Sequence, residues 1–76
     1  MTNKEISILM DKEEFAIDYC SKLIENQARD LQINNGFSDE HLTKGARRLI
    51  DLVAARREHK AKYNTLKVVL QAKEGT

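Results

Sequence analysis

Arg56 and His59 are the residues best placed for chemistry in this chain, because both interrupt a row of otherwise apolar positions, where a bare charge is expensive. Two uses fit them. In one they form a polar layer with a carboxylate, Glu13 or Asp18, that sets the register between packed helices. In the other they line a central pocket that meets an anionic ligand or a carboxylate of a partner protein, with His59 as a pH-sensitive contact. Along the same stretch Arg47, Arg48, Arg57, Lys60, Lys62 and Lys67 offer a basic ridge for phosphates, of RNA or a nucleotide-like ligand. The plainer use of those charges is to flank a helix interface and favour antiparallel pairing. Phe15 and Tyr19, four positions apart, are either packing residues at the core edge or anchors for a partner surface.

Other chemistry lacks its residues. Cys20 falls on an apolar face, where a small buried hydrophobe is the default, and its nearest charges in sequence, Asp18 and Glu25, are acidic, the wrong sign to activate a thiol. His41 and His59 lie eighteen residues apart, with no His-Glu-x-x-His or Glu-x-x-His spacing to hold a metal. No glycine-rich phosphate loop and no Gly-x-Ser-x-Gly elbow occurs. The carboxylate pairs Glu13-Glu14 and Asp39-Glu40 each sit at a candidate helix start, where the macrodipole accounts for them. The expectation is a protein with no catalytic residue, no cofactor and no metal. Tyr63 is the one aromatic of the basic segment, the net charge is only +1, and the isoelectric point is near 7.9, which argues against base stacking and sequence-specific DNA reading.

The elements that position these residues are helices. The chain has no proline and three glycines, with 41% hydrophobic and 33% charged residues, a composition that suits helix and is too apolar for a disordered segment. Leu42, Gly45, Leu49, Leu52, Arg56, His59, Tyr63, Leu66 and Leu70 recur at steps of three and four, a heptad seam through four repeats. Such a helix must lie against another. Ile17, Cys20, Leu23, Ile24, Gln27, Ala28 and Leu31 supply the facing stripe.

Asn34-Asn35-Gly36 is the punctuation between them, with Gly36 suited to a left-handed helix cap and Ser38 to capping the next helix. Phe37 and Leu42 hold the positions of a hydrophobic staple. The second helix spans about 39–73. The first spans about 11–34 or begins near residue 3, because Thr2-x-x-Glu5 and Asp11-x-x-Glu14 both match a capping box, the second accompanied by a Met10–Phe15 staple. With equal rise on both arms, facing residues have numbers summing to about 73, which sets Glu13 beside His59 and Lys60, and Ile17 beside Arg56. A first helix starting at Asp11 leaves Tyr63, Leu66, Val69 and Leu70 bare. Residues 4–10 then continue the helix, dock as a short helix of their own, or leave the covering to another subunit, and each course buries Ile6, Leu9 and Met10.

The fold class is therefore all-α: an antiparallel helical hairpin forming one domain over 1–76, with 1–10 as an N-terminal arm or helix extension and 74–76 as a frayed tail. A chain of 76 residues buries about 60% of its unfolded surface, so assembly with at least one copy of itself into a four-helix bundle is expected, along the seam of Leu42, Leu49, Leu52, Tyr63, Leu66 and Leu70. On the back of the second helix Arg47, Ala54, Ala61 and Val68 recur every seven residues beside Ile50, Ala55 and Val69, either a solvated face of good helix formers or a contact beyond the dimer.

Residues 1–40 carry four basic and nine acidic side chains and residues 41–76 nine and three, so the arms are −5 and +6 and sum to +1. These features favour a small regulatory or inhibitory protein, of a size common among accessory, phage and mobile-element proteins, that binds another protein as an oligomer. The alternatives are an oligomer that takes an anionic ligand or RNA, and a structural assembly protein. The short interrupted apolar run near Met1 suits neither a signal peptide nor a membrane span, and the single cysteine suits a reducing compartment, so a cytoplasmic setting is expected.

Overall fold

The computed structural model describes residues 1–33 and 38–75, which form two helices, α1 (Asn3–Ile33) and α2 (Asp39–Glu74), packed side by side as a hairpin. Among the described residues there is no strand, and no helix is long and apolar enough to cross a membrane. The turn expected at Asn34, Asn35 and Gly36 and the Phe37–Leu42 staple lie outside the described residues, as does Thr76.

Of the two candidate starts for α1, the chain uses the earlier one. The Thr2 hydroxyl accepts the Glu5 N–H at 3.1 Å and donates to the Glu5 carboxylate at 3.2 Å, while the Thr2 carbonyl takes the first helical bond from Ile6. This satisfies amides at the helix start that would otherwise lack partners. Asp11 and Glu14 are consequently exposed residues of helix interior, and the Met10–Phe15 staple is not formed. A staple needs a chain that bends at the cap, and here helix continues through it. For α2, Ser38 is extended and its hydroxyl accepts the His41 N–H at 3.3 Å, with Asp39 and Glu40 in the first turn where the helix dipole favours them. Glu74, expected to fray, is the last residue of α2, and Gly75 closes the helix by donating its N–H to the Gln71 carbonyl at 2.9 Å.

The seam is where the spacing puts it. All nine positions from Leu42 to Leu70 at three- and four-residue steps are half-buried, and on α1 the matching row runs Ile6, Met10, Glu13, Ile17, Cys20, Ile24, Gln27 and Leu31. Only Ile6 (0% exposed) and Cys20 (8%) are fully enclosed among the described residues, and α2 encloses none. The hairpin measures 58 × 15 × 14 Å with a radius of gyration of 17.2 Å, against about 11 Å for a compact domain of this length. It is a rod one interface thick. Facing positions obey the expected register at both ends: Gly45 lies against Leu31 and Gln27, and Lys73 donates its ammonium to the Met1 carbonyl.

At Gly45 the helices pack too closely to leave room for a side chain. A Cβ built there would stand 2.7 Å from Leu31 Cδ2 and 3.1 Å from Gln27 Nε2. Glycine inside a helix costs about 1 kcal/mol relative to alanine, so its presence in the seam is explained by proximity rather than propensity. Gly45→Ala is expected to come out nearly level, the propensity gain offset by displacement of Leu31. Gly45→Leu is expected to lose about 1–3 kcal/mol by overpacking, read as a lower urea midpoint, and a midpoint equal to wild type would show that the helices are not in contact there.

Candidate interaction surfaces

The polar layer inside the seam is built from both helices. His59 Nδ1 meets Glu13 Oε2 at 2.5 Å, with both side chains about a quarter exposed, so the interruption in one arm is answered by a carboxylate in the other. Arg56 behaves differently. Its guanidinium donates to the Ser21 hydroxyl at 3.5 Å, a long bond, in a recess of about 380 Å³ that Asp18, Lys22, Ile24 and Glu25 also line. The expected level of Arg56 was Ile17; the long side chain reaches one turn further and carries its charge to the wet edge of the interface while its methylenes stay in the seam. Ser21 as its partner was not foreseen, and only its position between Ile17 and Glu25 at helical steps hints at it.

The remaining basic candidates do not share a face. At about 100° per residue, Arg47, Arg48, Arg56, Arg57, Lys60 and Lys62 are distributed around the whole circumference of α2. Arg47 and Arg48 are exposed near its start, and Lys62 stands 3.8 Å from Glu58 one turn back. A common edge is formed by Arg57, Lys60 and Lys67 alone, which follow Val53 at steps of four, three and seven. Arg57 borders an apolar patch with Leu49, Ile50, Val53 and Ala54.

The aromatic candidates are brought together and turned outward. Phe15 is 74% and Tyr19 57% exposed, and Ile8, seven residues before Phe15, is 47% exposed. Ile8 and Phe15 each follow a seam residue, Ile6 and Glu13, by two positions, a rotation of about 200° that carries them to the side of α1 remote from α2. Ile8 was not among the sequence candidates, although its heptad relation to Phe15 is the signal that finds it. Away from this stripe, an open groove of about 430 Å³ runs between the helices, lined by Leu9, Ala61 and Leu66 together with Glu13, Glu58, Lys62 and Thr65.

Among the described residues no group of three or more His, Cys, Asp or Glu side chains is placed to hold a metal ion, and Cys20 is a buried free thiol. Comparison with protein-family models, curated proteins and solved structures finds no match to any of the three. The surfaces themselves are what carries a functional reading.

Proposed function

We propose that this chain is a small, non-catalytic regulatory or inhibitory protein that acts by binding another protein, as a helical oligomer, with Phe15 and Tyr19 at the contact. The observation that supports the reading is the outward aromatic pair on α1. Both rings are more than half exposed, and rigid aromatic side chains are the residues that concentrate binding energy at protein interfaces. Ile8, 47% exposed and seven residues before Phe15, extends the same side with apolar surface. A polyanion such as RNA finds less to hold, because basic side chains spread around a helix offer no single track for a phosphate backbone. The proposal includes a cytoplasmic setting, where a buried thiol such as Cys20 stays reduced.

The test compares wild type with the Phe15→Ala/Tyr19→Ala double variant as baits in a native lysate, with helix content and mass measured for both. The expected result is a captured protein that falls at least about tenfold in the variant while helicity and mass stay unchanged, the loss associated with truncating two interface anchors. Equal recovery by both baits, or none by wild type, overturns the reading.

A further inference from the structure

One face of the rod carries two unmatched rows of charge. On α1, Glu14, Asp18, Ser21 and Glu25 follow one another at steps of four, three and four; on α2, Arg57, Lys60 and Lys67 follow Val53 at steps of four, three and seven. The bond from Arg56 to Ser21 shows that both rows border the same face. Between the rows lie the half-buried Ile17, Ile24 and Leu49, and in line with the cations lie Val53, half-buried, and Ile50, 68% exposed. Among the described residues none of the three carboxylates and three cations in these rows forms an ion pair within the chain. The face measures 58 by 15 Å, roughly 870 Å², against the 800 Å² or so that each partner of a stable complex contributes.

We infer that a second copy of this chain covers this face, and that the two hairpins are related by a two-fold axis parallel to their length. A face-to-face pair can be built about two axes. An axis across the helices stacks α1 on α1 and α2 on α2, setting carboxylates against carboxylates and cations against cations. An axis along the helices lays α1 of each copy over α2 of the other at unchanged height. The hairpin's own register then fixes what meets. Residues facing each other sum to about 73, so Arg57 arrives level with a point between Glu14 and Asp18 of the second copy, and Lys60 arrives level with its Glu14. Every adjacent pair of helices is antiparallel, the apolar strip is closed on itself, and Arg57 and Lys60 of each copy find Glu14 and Asp18 of the other. The rim pairs select the axis, and the apolar strip holds the copies together.

This geometry specifies the oligomer within the proposed function, and its test reads mass rather than partner capture, so the two fail separately. Sedimentation and light scattering are run on wild type, on Glu14→Lys/Asp18→Lys, on Arg57→Glu/Lys60→Glu, on an equimolar mixture of those two, and on the chain bearing all four reversals, with circular dichroism on each. Wild type is expected at about 17 kDa, twice its 8.7 kDa. Each two-site variant is expected to dimerise at least about tenfold more weakly, because like charges then face each other twice per dimer. The mixture and the fourfold reversal are expected to return to the dimer mass. Only the lengthwise axis predicts rescue by the fourfold reversal, since the crosswise axis leaves lysines facing lysines. A monomeric or higher-order wild type, two-site variants that dimerise like wild type, or a fourfold chain that folds yet stays monomeric would each overturn the proposal.

Discussion

Ile6→Ala lowers the unfolding free energy by about 2–4 kcal/mol, the usual cost of truncating a fully enclosed aliphatic side chain. Ile6 has no exposed surface, and apart from Cys20 no other described residue is fully enclosed. Chains of this size have about 4–11 kcal/mol of stability in total, so a loss of that size is a large share of what holds the rod together. The site is also strategic: Ile6 lies one turn after the Thr2 cap and anchors the part of α1 that covers the far end of α2. Thermal melts followed at 222 nm give the check. A shift below 0.5 kcal/mol would mean that residues 3–10 are not docked as described.

Leu52→Asp has the larger expected effect. Leu52 stands in the middle of the seam, half-buried, between Leu49 and the Arg56–Ser21 contact. A carboxylate there loses the apolar contact and gives up part of its hydration in the packed seam. Together these cost several kcal/mol, comparable to the whole stability of the chain. The variant is expected to show mostly coil by circular dichroism and to sediment as an 8.7 kDa monomer. Retention of the wild-type helix signal at micromolar concentration would show that the seam is dispensable.

Most of the fold is legible in the sequence because a two-helix rod has few degrees of freedom. Once the three-and-four spacing from Leu42 to Leu70 identifies the inner row of α2, the antiparallel register follows from equal rise, and it places Glu13 against His59 as found at 2.5 Å. The N-terminus stays ambiguous because Thr2-x-x-Glu5 and Asp11-x-x-Glu14 are equally good caps locally. What decides between them is the need of Tyr63, Leu66 and Leu70 for cover, a tertiary demand that no local pattern encodes. Arg56 shows the limit on the site. Its seam position is visible in the spacing, but a side chain that spans a full turn chooses among several partners, and the choice of Ser21 over Asp18 depends on ångström-scale packing. The basic residues fail as a ridge for a simpler reason: a list of lysines and arginines conveys density along a helix, whereas a ligand meets azimuth around it. Phe15 and Tyr19 divide the same way, since i and i+4 establish that they share a side, and only the packed hairpin establishes that the side faces out.

The latch from Lys73 to the Met1 carbonyl has a practical corollary. Because it sets residues 1 and 73 at one pole of a long body, a few glycines would splice residue 75 to residue 1 without bending either arm, and the backbone could then be reopened elsewhere as a circular permutant. Cyclised, the polypeptide would lose much of the loop-closure entropy that favours its unfolded form, and fraying at that pole would be suppressed. A body with so little interior would then owe much of its resilience to connectivity instead of burial.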